Sequence, residues 1–266
     1  MAFAAHVEEM SKAAVWVRRF TKGRSLLAGH FRSLETLITP GVTMTIPLSA
    51  HRQYWSGPSP DRDLIEFLSH ALPEDGLFLD IGANIGVYGA ALWKLRGGGI
   101  RGAEFEPVPT TQELLEGTLR ANGVPFSVER VAVSDRRGTL RLTAYQNGAN
   151  NVWVRNDDGQ RPTTEVATIS LDDWCGTDPR RIPGAIKIDV EGHELAVLQG
   201  GRKTLRAHKP ALVLECHAAS WDELGVDRAA FDVEVRSIGY SRLCDRQGRP
   251  VDFFRASSTF HLLALP

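Results

Sequence analysis

The segment from Leu77 to Gly86, with the sequence LFLDIGANIG, is the feature that most constrains the fold. Its apolar run ends at the carboxylate of Asp80, and a turn between Gly82 and Gly86 follows. A short apolar run bounded by turn residues is typical of a buried parallel strand. Glycines permit positive φ angles and the close approach of a ligand. The segment therefore predicts a strand that leads into a ligand-binding loop and then a helix.

The spacing of the glycines indicates the kind of ligand. A dinucleotide site uses G-x-G-x-x-G to present a helix N-terminus to a pyrophosphate, whereas this loop reads D-x-G-x-N-x-G. Asn84 replaces the middle glycine, and the charge of Asp80 would repel a pyrophosphate. A carboxylate here suits the ammonium group of a cationic ligand such as S-adenosylmethionine (SAM). The loop therefore favours SAM over NAD.

A second acid follows about 20 residues later, where nucleotide-binding folds hold the ribose hydroxyls. Glu106 ends the predicted strand 101–106. Glu104 shares its face because side chains alternate along a strand, but it lies one pleat deeper. We therefore expect Glu106 to face a ligand and Glu104 to be structural.

Strands and helices alternate from residue 61 to residue 217, with the third strand at 126–134 and a helix from about His193 to Leu205, which predicts a parallel sheet with right-handed crossovers. Residues 139–169 interrupt this pattern. They indicate short strands at 139–145, 152–155 and 164–169, which predict a β insertion that lies over the carboxyl ends of the core strands. Asn150 and Asn151 in this insertion contact substrate or simply form a turn. Residues 240–265 predict an antiparallel hairpin. The predicted fold for 56–266 is α/β and Rossmann-like, with a seven-stranded mixed sheet and an antiparallel last strand.

Residues 1–55 are predicted to form an extension to this domain. Apolar and basic residues in 1–39 predict one or two amphipathic helices, which pack on the domain or on a second subunit, or contact a membrane or an acidic carrier. Residues 42–47 predict a short strand. The aromatic segment 51–55 either covers a cofactor or packs on the first core helix.

Composition limits the class of protein. The chain has 266 residues, a formal charge of −1 and 24% charged residues, so no overall charge favours nucleic acid. The three cysteines form neither a C-x-x-C pair nor a disulfide framework. No apolar run approaches the roughly 18 residues of a membrane span, and the N-terminus is acidic where a signal peptide is basic. These features predict a cytoplasmic protein.

Several motifs occur together in one order, and as a set they are specific. With DIGANIG at 80–86, FEP at 105–107, AVSD at 132–135, SLDDW at 170–174 and IKIDVEGHE at 186–194, the chain resembles the FkbM family of class I SAM-dependent methyltransferases. The resemblance covers about residues 60–217. It implies O-methylation of a hydroxyl on a small molecule, typically a sugar, a polyketide such as a macrolide, or a related secondary metabolite.

The resemblance also implies roles for individual residues. The methionine part of SAM would be held by Asp80, Gly82, Asn84 and Gly86, and the ribose hydroxyls by Glu106. Ser134 and Asp135 would lie near the adenine. Asp189 is assigned both to cofactor binding and to the chemistry.

Since SAM carries its own activated methyl group, the protein must align the acceptor oxygen and remove its proton. The candidate bases are Asp189 and Glu191 first, and then His193, Glu215 and His217. Each has a plainer explanation; Glu191, for example, would complement the dipole of the next helix.

Three alternatives stay open at this point. Asp189, Glu191, Glu215 and His217 offer hard ligands for Mg²⁺, although no ligand spacing compels a metal. A non-catalytic SAM-binding protein is the second alternative. A nicotinamide-dependent oxidoreductase is the third, disfavoured by the absence of G-x-G-x-x-G and of a Tyr-x-x-x-Lys pair.

Overall fold

The computed structural model describes residues 33–39, 41–47, 59–143 and 163–266. The predictions for residues 1–32, the aromatic segment 51–55, a short strand at 152–155 and the pair Asn150 and Asn151 lie outside these ranges. No helix in the described ranges is long and apolar enough to cross a bilayer.

The described elements alternate along most of the chain. The strands are β1 (Ser33–Thr39), β2 (Val42–Pro47), β3 (Leu77–Ile81), β4 (Arg101–Phe105), β5 (Ser127–Glu129), β6 (Ala132–Ser134), β7 (Gly138–Thr143), β8 (Thr163–Ser170), β9 (Pro183–Ile188), β10 (Ala211–Cys216), β11 (Arg242–Cys244) and β12 (Phe260–Leu265). The helices are α1 (Arg62–Ala71), α2 (Val87–Leu95), α3 (Pro109–Asn122), α4 (Leu171–Gly176), α5 (Glu194–Gly200), α6 (Arg202–His208), α7 (Ala218–Leu224) and α8 (Arg228–Ile238).

The main sheet has seven strands in the order β11-β12-β10-β9-β3-β4-β5. Strands β5, β4, β3, β9 and β10 are parallel, and β12 runs antiparallel to both of its neighbours. The predicted seven-stranded mixed sheet with a terminal reversed hairpin is confirmed. This is the Rossmann-like arrangement of class I methyltransferases.

Strand β3 lies at the centre of the sheet, and all five of its residues are buried. Phe78 packs into an apolar cluster on the face covered by α1 and α2, whereas Leu79 and Ile81 pack into the cluster on the face covered by α5 and α8. Apolar side chains on both faces of a strand are expected when helices cover both sides of a parallel sheet. The main sheet is therefore a middle layer that brings the carboxyl ends of β3, β4 and β9 to one edge.

The helical prediction is wrong for Ser33–Thr39, which form a strand. β1 pairs antiparallel with β2, as a hairpin that turns through Gly41 at φ +84°. The buried residues Ile38, Met44 and Ile46 join the apolar cluster of α1 and α2. Cross-strand pairing and packing on the domain thus override the helix-like spacing of the apolar residues. The short strand predicted at 42–47 is confirmed.

The single strand predicted from Phe126 to Ser134 is also wrong, because the segment contains two strands in different sheets. β5 pairs with β4 in the main sheet, whereas β6 pairs in parallel with β8 in a separate three-stranded sheet, β6-β8-β7. Residues Arg130 and Val131 connect the two strands. The β insertion predicted between 139 and 169 therefore joins the end of the third predicted strand, and its described strands are β7 and β8.

The helix predicted from His193 to Leu205 is two helices, α5 and α6, which meet at Gly200 and Gly201. A Cβ atom on Gly200 would lie 2.0 Å from the carbonyl oxygen of Ser134. The close approach of α5 to β6 therefore requires glycine, and a glycine pair favours the break.

Asn122, the last residue of α3, joins that helix to the N-terminal hairpin. Its Oδ1 accepts the N–H of Thr45 at 2.9 Å, and its Nδ2 donates to the carbonyl oxygen of Thr45 at 2.7 Å. We expect Asn122→Ala to lower the free energy of unfolding by about 1–3 kcal/mol, because it removes both hydrogen bonds to the partly buried backbone of Thr45. Urea denaturation measures this loss. Glu113→Ala, at an exposed position of the same helix, should change it by less than about 0.5 kcal/mol; equal effects would contradict the prediction.

Candidate active site

A cleft opens at the carboxyl ends of β3, β4 and β9, and the three-stranded sheet forms one of its walls. Its polar lining includes Asn84, Glu106, Asp189, Glu191 and His193. Its apolar lining includes Phe105, Val108, Val133, Leu140 and Leu142. Ligands of open α/β sheets bind at the carboxyl ends of the strands. The cleft therefore lies where the sequence predicts a ligand, and β7 covers it as expected of the insertion.

The loop after β3 packs directly against the backbone at the end of β9. Gly82 has φ +82°, and a Cβ atom there would lie 1.8 Å from the carbonyl oxygen of Asp189. Its N–H and that of Ala83 both donate to the carbonyl oxygen of Phe105 at 3.0 Å. Asn84 has φ +50°, an uncommon conformation for a residue with a side chain. The loop is thus held against both neighbouring strands.

Glu106 projects into the cleft from the end of β4. Its Oε2 accepts the N–H of Asn84 at 3.0 Å, and its Oε1 accepts the N–H of Val108 at 2.9 Å. Burial raises the pKa of Glu106 to about 7, although these two hydrogen bonds favour the charged form. A carboxylate oriented in this way has lone pairs left to accept hydroxyl protons. Its position in the cleft suits the binding of ribose hydroxyls, the role that the sequence predicts for it.

Lys187, near the carboxyl end of β9, was not among the predicted site residues, yet it contacts several of them. Its Nζ lies 3.3 Å from Asp80 Oδ1 and 3.3 Å from Asp189 Oδ2, and it donates to the carbonyl oxygen of Gly82 at 3.0 Å. Burial opposes its charge, but the two carboxylates raise its pKa. The signal in the sequence was a lysine between two isoleucines of a buried strand. Such a residue is expected only where anions surround it.

Asp80, Glu104 and Lys187 are aligned across three adjacent strands. Asp80 and Glu104 are both fully buried. Burial and the neighbouring charge of Asp80 raise the pKa of Glu104 well above its usual range. A Cβ atom on Gly89 would lie 1.7 Å from Glu104 Oε1, so helix α2 packs directly on this carboxyl group. Glu104 is therefore structural, as expected from its depth in the strand.

Ser134 and Asp135 follow β6 beside His193. The hydroxyl of Ser134 donates to Asp135 Oδ1 at 3.1 Å, and its oxygen lies 2.9 Å from His193 Nε2. Because that hydroxyl proton is used, Nε2 is the donor in the second contact. Burial lowers the pKa of His193 to about 4 despite the charge of Asp135, so the imidazole is neutral at pH 7. A group with this pKa is a weak base for an alcohol.

Glu191 also lines the cleft, from the turn between β9 and α5. It has φ +52°, and its Oε2 lies 3.3 Å from His217 Nε2. Burial raises its pKa to about 7, and the charge of His217 opposes that rise. Strained backbone in a residue with a side chain is a recurrent feature of functional sites. Of the predicted bases with a shifted pKa, Glu191 lines the cleft and is best matched to neutral pH.

His217 is surrounded by carboxylates. Its Nδ1 lies 2.8 Å from Oε1 of the fully buried Glu194, and its Nε2 lies 3.8 Å from Asp189 and 3.9 Å from Glu215. Burial lowers its pKa, but the hydrogen bond and charge of Glu194, with the neighbouring acids, raise it to about 9. His217 is therefore an imidazolium at neutral pH and lacks the free lone pair of a base. Glu215, with its pKa lowered to about 2 by His261 against the effect of burial, is a weak base.

Ligand atoms of Asp189, Glu215 and His217 lie within 4.8 Å of one another, which is close enough for one cation. However, the Lys187 ammonium already lies beside Asp189, and His217 carries its own positive charge. These cations offset the negative charge that would attract Mg²⁺. The alternative of a bound Mg²⁺ is therefore not supported.

The structure thus brings Gly82, Asn84, Glu106, Asp189, Glu191 and His193 together around one cleft. Asp80 lies beneath the glycine loop, behind Lys187. Gly86 begins α2 with φ +80° and packs on Leu115. Ser134, Asp135 and His217 lie behind the lining residues. Lys187 and Glu194, which contact predicted site residues, were not among the residues predicted from the sequence.

The sheet topology and the position of the cleft define a class I methyltransferase. Residues 80–242 match the model of the methyltransferase FkbM domain, which is more than half of the chain. The chain belongs to the FkbM methyltransferase family, and the predicted resemblance is confirmed.

Two curated relatives are similar to this chain. The hexuronic acid methyltransferase AglP of Haloferax volcanii is 30% identical over 159 residues, which cover 59% of this chain and 63% of that protein. The 31-O-demethyl-FK506 methyltransferase FkbM of Streptomyces tacrolimicus is 28% identical over 166 residues, which cover 50% of this chain and 63% of that protein. The chain thus spans less than two thirds of the length of either relative. A solved FkbM methyltransferase from Methylobacillus flagellatus is 20% identical, with a TM-score of 0.48, and the match covers 75% of this chain and 50% of that one.

The contact between Gly82 and Asp189 predicts a steric requirement for glycine. We expect Gly82→Ala to lower the free energy of unfolding by about 3–5 kcal/mol, the upper range for point substitutions, because the methyl group would collide with the Asp189 carbonyl. Gly99→Ala is the matched control, since Gly99 also has a positive φ but has nothing within 4 Å of its Cβ position. It should cost about 1–2 kcal/mol, the left-handed strain alone. Chemical denaturation compares the two variants, and equal losses would show that the contact is unimportant.

Proposed function

We propose that this protein is a SAM-dependent O-methyltransferase that transfers a methyl group to a hydroxyl of a small molecule, such as a sugar or a secondary metabolite. One observation carries the proposal: a single cleft contains an oriented carboxylate, Glu106, and a second carboxylate, Glu191, whose pKa is about 7. The first suits the ribose of a nucleoside and the second suits removal of a hydroxyl proton. The two curated relatives are named as methyltransferases of a hexuronic acid and of a demethylated FK506, which supports a small-molecule acceptor.

The residues present fit an adenosyl ligand. Glu106 would accept the two ribose hydroxyls, since each of its oxygens keeps a lone pair after binding one backbone N–H. The apolar walls, including Val108, Val133 and Leu142, offer a surface for the planar base. Gly82 leaves room for the amino acid part of the ligand next to the backbone. Bound SAM would supply a methyl group on a sulfonium, which needs no activation by the protein.

The chain's own contribution is to place and deprotonate the acceptor. The carboxylate of Glu191 would accept the hydroxyl proton while the oxygen takes the methyl group, which leaves S-adenosylhomocysteine (SAH) and a methyl ether. Glu191 becomes neutral in this step, and solvent later removes the proton. A base with a pKa near the working pH is the most effective. Asp189 is the alternative base, but its carboxylate is already paired with the ammonium of Lys187 at 3.3 Å.

Ligand binding tests the choice of cofactor. SAM and SAH should raise the melting temperature, as expected for ligands that bind only the folded state, whereas NAD should not. Glu106→Gln should weaken SAH binding in calorimetry about 10- to 100-fold, since hydrogen bonds to a charged group are worth about 1.5–3 kcal/mol. Glu104→Gln is the matched control on the same strand, and it should bind SAH as the wild type does. Stabilisation by NAD alone would instead favour the oxidoreductase.

Turnover tests the base. With a panel of sugars and macrolides as acceptors, mass spectrometry should detect products that have gained CH₂. Glu191→Gln should leave SAM binding intact and slow transfer about 10²- to 10⁴-fold, the usual contribution of a positioned base. The wild-type rate should fall below about pH 7 as Glu191 becomes protonated. Glu113→Gln, at an exposed site on α3, should transfer normally. Normal transfer by the Glu191 variant would exclude it as the base.

A further inference from the structure

We propose that Glu194 is a positioning residue for this reaction: its buried carboxylate holds His217 as an imidazolium, and that imidazolium keeps Glu191 ionised. The role rests on the proposed function, in which Glu191 accepts the hydroxyl proton. Glu194 itself lies behind the cleft and acts only through His217.

The buried carboxylate of Glu194 has His217 as the cation in contact with it. The side chain is fully buried at the start of α5. Its Oε1 accepts the N–H of Gly192 at 2.8 Å and lies 2.8 Å from His217 Nδ1. In the described part of the chain, its Oε2 has no hydrogen-bond partner. A buried carboxylate is costly unless a cation lies beside it, and the cation in contact with it here is His217.

This contact determines how the imidazole is oriented. Because Nδ1 donates to Glu194, the other ring nitrogen is left to face the cleft side. Nε2 lies 3.3 Å from Glu191 Oε2, 3.8 Å from Asp189 Oδ1 and 3.9 Å from Glu215 Oε1. Three carboxylate oxygens around one ring nitrogen favour a proton on it. The ring is therefore protonated at both nitrogens.

Of these three acids, Glu191 depends most on His217. Asp189 lies closer to the ammonium of Lys187, at 3.3 Å. Glu215 lies closer to His261, at 3.4 Å. Glu191 has His217 as its nearest cation within the described ranges. A change in the charge of His217 therefore affects Glu191, the proposed base, more than it affects Asp189 or Glu215.

The sign of the effect follows from these charges. The positive charge of His217 lowers the pKa of Glu191 against the effect of burial, and it is the largest of the charge effects on that side chain. The negative charge of Glu194 raises the pKa of Glu191, but this effect is smaller than that of His217. Without Glu194, His217 releases its proton more readily. Losing the imidazolium raises the pKa of Glu191 by more than losing the charge of Glu194 lowers it. Glu191 therefore becomes protonated at a higher pH.

An NMR titration of the full-length protein with ¹⁵N-labelled histidine tests this without an acceptor. Of the eight histidine signals, the one absent in His217→Gln identifies His217. In the wild type this ring should be protonated at both nitrogens at pH 7 and lose a proton near pH 9, with a smaller inflection near pH 7 from Glu191. In Glu194→Gln the pKa of His217 should fall by at least about one unit, a tenfold change in proton affinity. The Glu191 inflection should move to higher pH.

The matched control is Glu234→Gln, which removes another buried carboxylate, the partner of Arg202; it should leave the His217 titration unchanged. Glu194→Asp keeps the charge and should restore part of the wild-type behaviour. An unchanged His217 pKa in Glu194→Gln would overturn the proposal. If that variant does not fold, a wild-type His217 that is neutral at pH 7 would overturn it equally.

The outcome is separable from that of the proposed function. Failure to bind SAM or SAH would remove the methyltransferase proposal while the titration still reports on Glu194 and His217. Conversely, a protein that binds SAH but whose His217 is neutral would keep its function and lose only this role of Glu194.

Discussion

The cleft depends on one buried cation, the ammonium of Lys187. It lies 3.3 Å from the carboxylates of Asp80, on β3, and Asp189, just after β9, and it donates to the carbonyl oxygen of Gly82. Taking an ion out of water costs several kcal/mol, and its partners must offset that cost. Moving the glycine loop away from β9 would take the Gly82 carbonyl oxygen from this buried ammonium. The geometry of the cleft is therefore maintained by charge as well as by packing.

Similar side chains around this centre differ in pKa because their surroundings differ. Burial and a nearby anion raise the pKa of Glu104 well above its usual range, whereas His261 lowers the pKa of Glu215 to about 2 against the effect of burial. Glu106 and Glu191 each have a pKa of about 7. Such separation of carboxyl groups by environment is how a single site carries out both binding and proton transfer. Glu106 is satisfied by backbone donors and Glu191 by a cation, which suits the first to holding hydroxyls and the second to taking a proton.

The main sheet was predictable because its signals are local: apolar runs, glycine turns and acids at strand ends. The helix prediction failed at Ser33–Thr39 because apolar residues at helical spacing also fit a strand when a hairpin partner follows in the chain. The break after Glu129 was hidden, since pairing with β8 depends on residues far along the chain. At the site, acids at strand ends were predictable from the common edge of parallel strands. Lys187 and Glu194 were not, because their importance comes from contacts across the sheet.

The three-stranded sheet joins the main sheet through the short connection after β5 and through the packing of α5 on β6. Its strand β7 places Leu140 and Leu142 in the cleft wall, whereas the buried charges around Lys187 lie in the main sheet, on β3 and at the end of β9. Substitutions at these two leucines would change the shape of the wall and leave that charge cluster in place. If the cleft binds an acceptor as proposed, evolution or an engineer could use β7 to alter the choice of acceptor while the residues proposed to hold the cofactor stay unchanged.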